Sequence, residues 1–422
     1  MTQSFQNVRV FLVCFAAVAV SLPVAIISIA KLLLFLCALT VIVKGWRDRS
    51  CVLTRAADMA SRTVLWALAI MAVSGFWTTG SPSEFFTSLA KHGKLLEIPI
   101  LLFLIRSRQE ALAALAFFVG GQIFLLLSTG MMFAGFSIPW ATSKELGHSY
   151  AVFSSYLDQS IMTAVLAALC WHMRDFAPIR FRTLLSLIAS GLALACVFFV
   201  FQGRTGHAVA IALVSLAVFW ELPKKFRLSI VAVPIALTLL LAATSDKVHD
   251  GLMELRNANT VFKSGDIPTS SGTRLELWRR SLQSIAENPA LGTGVGSWNN
   301  EFNRQRERVE PTTHVKIAGN PHQEFLLWGV ELGLGGILLL CGLLFSFYQS
   351  SRKFDQQTRR AVQSVAAAVA ISSMFNCALY NAKIGDFFCI ALGLLLALGT
   401  HAMTRPPAAP SQVASSRVAP EW

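Results

Sequence analysis

The feature that most limits what this 422-residue chain can fold into is a series of apolar runs separated by short basic loops. Runs of about 18–25 apolar residues are long enough to cross the ~30 Å hydrocarbon core of a bilayer as helices. An apolar fraction of 54%, a charged fraction of 14% and a mean hydropathy of +0.57 exclude an ordinary soluble domain. A net charge of +13 would point to nucleic acid in a soluble protein. Here most of the excess sits in short loops between apolar runs. It therefore reads as the positive-inside bias of a membrane protein, with lipids rather than nucleic acid as partners.

The runs predict an all-α polytopic protein of about twelve spans. Residues 8–46 are too long for one span and contain Pro23 and Lys31, so they form a tight helical hairpin turning between Ser21 and Lys31. The remaining spans are expected near 62–77, 82–105, 111–134, 151–172, 183–201, 206–220, 228–243, 325–347, 361–379 and 387–401. With the N-terminus cytoplasmic, the short loops on that side carry 17 Lys/Arg, against 3 in the four short loops opposite. Both termini then lie in the cytoplasm. The long polar interval 244–323, Arg204, His322, Lys383 and Asp386 all fall on the outer face. Residues 1–403 form one transmembrane domain that includes this interval. Residues 404–422, rich in Pro, Ala and Ser, read as a disordered cytoplasmic tail. The first apolar stretch lacks a small-residue cleavage site and reads as a retained anchor. Seven of eight cysteines lie in apolar segments and Cys51 in a basic loop, leaving none for a disulfide framework or metal site in the polar interval.

Within that interval, local rules predict a helix near residues 273–286. Thr273 is the expected N-cap and Glu276 completes a capping box; Leu275, Trp278, Leu282 and Ile285 share a stripe, and Asn288-Pro289 ends the helix. Arg274 would then stand on the first turn as part of an anion site. The alternative is an interfacial amphipathic helix whose Arg274, Arg279 and Arg280 face lipid headgroups or water. Gly292, Gly294 and Gly296 predict a tight turn, without the surroundings of a nucleotide motif. In Gln202-Gly203-Arg204-Thr205-Gly206-His207, Arg204 is the only cation of a short outer turn and two glycines allow close approach. It is either a ligand contact or an arginine snorkelling to headgroups.

His322, in Asn320-Pro321-His322-Gln323-Glu324, is expected near the first turn of the span that follows. Burial beside a positive helix end would keep its imidazole neutral, as a general base requires. No His-x-x-x-His pair and no Asp-x-Asp occurs, so neither a metal nor another cofactor is expected. Lys91 and Lys94 share a face of the 82–105 span and need a partner or a wet cavity. Lys383 and Asp386 flank the turn into the last span. Tyr156, Asp158 and Gln159 at an outer helix end are weaker candidates. An outer pocket rich in Arg and Lys, with one His able to stay neutral, suits a membrane-embedded phosphate or pyrophosphate.

Three motifs resemble those of the O-antigen ligase and O-antigen polymerase superfamily of bacterial glycosyltransferases. They are Arg204 in its outer turn; Thr273-Arg274-Leu275-Glu276-Leu277-Trp278 with Asn288-Pro289-Ala290-Leu291-Gly292-Thr293-Gly294; and Asn320 to Leu326 running into Gly333-Leu334-Gly335-Gly336. The resemblance implies a GT-C-type fold in the bacterial inner membrane, with the active site facing the periplasm. It also implies a glycan donor on undecaprenyl pyrophosphate and metal-independent, inverting transfer. By the same resemblance His322 would deprotonate or orient the acceptor hydroxyl, and Arg204 and Arg274 would hold the pyrophosphate. Asp386 would orient the acceptor or an arginine, and Lys91, Lys94 and Lys383 would add anion contacts. His207, Asn320 and Gln159 complete the expected binding set. The family usually has a second His where this chain has Asn320, which cannot act as a base. The leading expectation is an O-antigen ligase acting on lipid A–core oligosaccharide. The alternatives are the polymerase and, from another class, a lipid-linked glycan flippase. A flippase should place ionisable groups near the midplane, whereas here they concentrate at one face.

Overall fold

A computed structural model of the chain describes residues 3–47, 58–142, 150–176, 180–223, 225–226, 232–246, 249, 253, 270–309 and 319–403. The tail from residue 404, Cys51 and parts of the 244–323 interval lie outside these residues. Among the described residues the regular structure is helical throughout. The elements are α1 (Gln3–Ala19), α2 (Val24–Arg47), α3 (Met59–Val73), α4 (Pro82–His92), α5 (Glu97–Leu104), α6 (Arg108–Phe133), α7 (Tyr156–His172), α8 (Arg182–Ala195) and α9 (Arg204–Glu221). They continue with α10 (Ala232–Thr244), α11 (Ser270–Glu287), α12 (Trp298–Val309), α13 (Glu324–Ser351), α14 (Gln356–Phe375) and α15 (Ala382–Met403).

Among the described residues, six helices are both long and apolar enough to cross a membrane: α2, α3 with the short 3₁₀ turn after it, α6, α8 with a π turn, α13 and α15. This is a polytopic helical membrane protein. The other six expected spans correspond to α1, the broken pair α4 and α5, α7, α9, α10 and α14, which are shorter, interrupted or more polar. The first hairpin turns at residues 20–23, overlapping the start of the expected 21–31 window.

The expected continuous helix over 82–105 does not form. It starts as predicted, with Ser81 and Glu84 closing a reciprocal capping box. It then breaks at the 3₁₀ turn Gly93–Leu96 before resuming as α5. Pro99 lacks the N–H that would bond back to residue 95, so the helix is weakest just upstream of it.

The core is organised around α15. It is buried along nearly its whole length and packs against α5, α6 and α14. Peripheral helices such as α2 and α8 expose one apolar side, as lipid-facing helices do. Small residues set the close approaches: a Cβ at Gly393 would strike Leu101, and one at Gly399 would strike Phe354.

One end of the bundle gathers the basic loops. Arg9 forms a bidentate pair with Glu110 at 2.7 Å, and Arg360 pairs with Glu221 at 2.6 Å. Asp58 accepts from Ser350, and Asp175 accepts from Gln357. The helix ends bearing Arg204, His322 and Lys383 lie at the other end, together with α11 and α12.

Candidate functional site

The site is framed by a backbone exchange between the glycine-rich turn and α13. Gly333 has φ 67° and ψ −156° inside α13, which interrupts the helix there. The N–H of Leu334 turns to Pro289 O at 2.8 Å. The carbonyls of Val330 and Glu331 accept instead from Thr293 and Gly294, at 2.9 and 2.8 Å. Gly292, Gly294 and Gly296 all have positive φ, and a Cβ on any of them would run into backbone of α13 or of residues 78–85. The predicted tight turn is therefore a clamp joining α13, the α3–α4 connection and the α11–α12 pair.

Glu331 braces the clamp from inside. It accepts from Gly296 N at 2.9 Å and Ser88 Oγ at 3.0 Å, and its other oxygen meets His92 Nε2 at 2.9 Å.

α11 begins at Ser270, three residues earlier than predicted. Thr273 therefore lies within the helix rather than capping it, and Arg274 is not at its first position. The expected capping box does not form because Glu276 is engaged elsewhere. Its carboxylate pairs with Arg280 at 2.5 Å and with Arg279 at 3.0 Å. Arg280 is buried over the Phe302 ring of α12, so it faces protein rather than lipid headgroups or water. The expected end at Asn288-Pro289 is where the helix stops.

His322 also sits differently from the expectation. α13 begins at Glu324, and Gln323 is its N-cap, accepting from Leu326 N. His322 precedes the cap and has φ 51°, one of two positive-φ residues other than glycine among those described. Asn320 enforces this conformation: its Oδ1 accepts from His322 N at 2.9 Å. From Asn320 a chain of amides runs around the histidine. Asn320 Nδ2 donates to Asn381 Oδ1 at 3.1 Å, and Asn381 Nδ2 donates to Asn376 Oδ1 at 3.0 Å. The Asn376 side chain lies close enough to the His322 imidazole to influence its protonation. Trp278 Nε1 donates to Pro321 O at 3.1 Å, tying α11 to the same turn.

The electrostatics favour a neutral ring. Burial holds the His322 imidazole below its ordinary pKa, and the nearby Arg274 charge adds to the effect. The Asn376 side chain opposes it.

Glu324, fully buried, straps the 376–381 turn onto this segment. It accepts from Leu379 N at 2.9 Å, Tyr380 N at 3.3 Å and Trp328 Nε1 at 3.0 Å. Lys94 Nζ donates to the carbonyls of Tyr380 and Asn381 at 2.6 and 2.7 Å. Lys91 Nζ stands 4.6 Å from the centre of the Tyr380 ring. Arg274, Asn320, Lys91 and Lys94 are thus grouped around His322 and the 376–381 turn.

The other candidates form a second group on the α7 side of the same end. Lys383 donates to Leu22 O and feels the charge of Asp158. Gln159 holds the α6–α7 connection, accepting from Val152 N and donating to Thr129 Oγ1, both at 2.8 Å. Arg204 opens α9, and His207, one turn later, is buried with Nε2 3.2 Å from Phe201 O. The glycines beside Arg204 serve helix packing, because a Cβ at Gly203 or Gly206 would collide with Ser160 of α7. Asp386 is buried one turn into α15 and bonds Lys31 at 2.8 and 2.9 Å, with Glu97 beside it. Lys31 had served in the sequence only to mark the first hairpin.

Asn376 and Asn381 escaped the sequence reading because the span over 361–379 was drawn too long. α14 ends at Phe375, and Asn376 is its extended C-cap. Two asparagines bracketing Cys377–Tyr380 at a turn between two helices were the available signal. Among the described residues, no group of three or more His, Cys, Asp or Glu is placed to hold a metal.

Residues 189–341 match the family model described as O-antigen ligase. The likeness is confined to that stretch, just over a third of the chain. The matched stretch contains Arg204, His207, Arg274, Asn320 and His322, while Lys91, Lys94, Gln159, Lys383, Asp386 and Asn376 lie outside it. The family covers both ligases and polymerases and implies lipid-linked glycan substrates in general, and the match supports a general enzymatic role for this chain. No curated protein matches the chain.

Proposed function

We propose that the protein is an O-antigen ligase of the GT-C type. In this reading it moves O-antigen polysaccharide from undecaprenyl pyrophosphate to lipid A–core oligosaccharide, at the periplasmic face of the bacterial inner membrane. The observation that carries the reading is a conformationally constrained His322 with a depressed pKa, held beside Arg274 in the family-matched segment. A neutral imidazole takes the proton of an acceptor hydroxyl as its oxygen attacks the anomeric carbon. The bond from that carbon to the phosphate oxygen breaks in the same step. The pyrophosphate leaves with the electron pair, and the configuration inverts. Arg274 and Arg204 supply charge-assisted hydrogen bonds to the leaving group, work that needs no metal. Lys91, Lys94, Lys383, Asn320, Gln159, His207 and Asp386 hold and shape the surroundings of donor and acceptor.

The test is transfer by purified protein in vesicles, with lipid-linked glycan and lipid A–core supplied and a chelator present. Transfer to lipid A–core with the chelator present is expected, and His322→Ala should lower the rate by about 10²–10⁴-fold. Full activity of that variant would falsify the base role. Transfer only to a second lipid-linked glycan would select the polymerase, and movement of donor between leaflets without consumption would select a flippase.

A further inference from the structure

We propose that the tip of the glycine clamp, Pro289-Ala290-Leu291, is seated in the hydrocarbon of the leaflet opposite the basic loops and anchors the α11–α12 pair to the bilayer. The proposal does not depend on the role of His322. The tip belongs to the longest polar interval of the chain, yet Leu291 is 62% exposed, and Pro289 and Ala290 are exposed with it. Beside it Phe76 is 92% exposed and Leu334 54%. These side chains are neighbours, because Trp77 Nε1 donates to Leu291 O at 3.2 Å and Leu334 N donates to Pro289 O at 2.8 Å. A contiguous exposed apolar surface marks a membrane or protein contact. This one continues the exposed stripes of two helices long and apolar enough to span: Trp66, Ile70 and Val73 on α3, and Leu334 and Leu338 on α13. That continuity commits the tip to lipid chains.

Height along the helices points the same way. Asp58 accepts from Ser350, which pins the start of α3 to the end of α13 at the basic end. From Ser350 to Leu334 the helix climbs about 24 Å at ~1.5 Å per residue, and any tilt lowers that height. The hydrocarbon core is ~30 Å thick, so Leu334 and the tip bonded to it lie short of the far boundary. Hydrocarbon offers no hydrogen-bond partner, so irregular backbone at that depth must be satisfied by protein. From Gly292 to Gly296 every backbone N–H is so satisfied. The partners in turn are Asn288 O, Val330 O, Glu331 O, Ser74 Oγ and Glu331 Oε1, at 2.8–3.1 Å. Leu291 O is taken by Trp77, and Thr293 O by Thr79 N. The nearest charged side chain in sequence, Glu287, is paired with Arg304 at 2.6 Å. So seated, the tip sets the height of α11 against the bilayer.

Spin labels on single cysteines report depth, because dissolved oxygen concentrates in hydrocarbon and a chelated nickel complex in water. The full-length protein, cysteine-free apart from the labelled position, is placed in nanodiscs of phosphatidylethanolamine and phosphatidylglycerol. At Leu291→Cys the ratio of relaxation by oxygen to relaxation by nickel should lie severalfold above that at Gly319→Cys, an exposed position where a Cβ meets nothing within 4 Å. It should approach the ratio at Leu338→Cys on the exposed side of α13. A ratio nearer to that at Gly319→Cys would overturn the proposal. Protection from both agents would mean that a second copy or another protein covers the tip, and would overturn it too. Should Leu291→Cys not fold, Ala290→Cys, exposed beside it, decides by the same ratio. None of these readings needs turnover, so the proposed transfer reaction stands or falls by its own test.

Discussion

A histidine serves as a base only in its neutral form, and two neighbours set how readily His322 is protonated. Burial and the Arg274 charge disfavour the proton and Asn376 favours it, with the net pKa below the ordinary 6.5. Transfer should therefore be near its plateau at pH 7 and fall as acid protonates the ring, with the limb centred below 6.5. Arg274→Gln removes the repelling charge, so its limb should lie at higher pH whatever happens to its maximal rate. Initial rates from pH 5 to 8 check both. An Arg274→Gln limb unmoved, or shifted to lower pH, would show that the two side chains do not communicate. The candidate base and the arginine beside it were legible from local sequence because each stood in a short polar motif. Asn376 was not, since an asparagine after twenty helical residues is indistinguishable from the span it ends. It reaches the His322 turn through Asn381, whose Oδ1 accepts from Asn320, 61 positions earlier in the chain.

Among the elements, the clamp of residues 289–296 against α13 decides whether α11 and α12 stand over the site. Gly333 adopts a conformation essentially reserved for glycine, and a Cβ there would lie 2.5 Å from Pro289 O. Gly333→Ala should cost at least ~1–3 kcal/mol. It should show as a lower Tm in detergent and faster proteolysis within 270–309. Gly335→Ala is the control: its Cβ would meet nothing closer than Ala290 O at 3.9 Å, so it should be neutral or slightly stabilising. Equal effects of the two substitutions would sink the clamp. The turn was readable from three spaced glycines, but what it clamps was not. Gly333 looked like one more small residue in an apolar helix. The capping boxes show the same limit: Ser81 with Glu84 forms as local rules require, whereas Glu276 is drawn away by Arg279 and Arg280.

At the scale of the whole molecule, the question is how many helices cross the bilayer. Length and hydropathy mark six, whereas the side-chain contacts argue for more. α9 starts against Ser160 in the first turns of α7 and finishes where Glu221 pairs with Arg360 at the basic end. Its 18 residues, at ~1.5 Å each, cover about the thickness of a hydrocarbon core. α7 runs likewise from Asp158, near Lys383, to His172 against Trp220. Such helices line the interior and need not look greasy all round, which is why hydropathy alone undercounts them. The loop charges registered them because each loop must lie on one side or the other. Single cysteines in a cysteine-free background separate the two counts. Between Lys225 and Ala286 the twelve-span arrangement has one crossing, α10, and the six-span arrangement has none. With twelve spans, a membrane-impermeant maleimide applied to cells with a permeabilised outer membrane labels Ala286→Cys alone. Lys225→Cys and Gln356→Cys then react only after lysis. Labelling of both Lys225→Cys and Ala286→Cys before lysis would leave α10 outside the bilayer and break the alternation on which the placement of His322 and Arg204 at one surface depends.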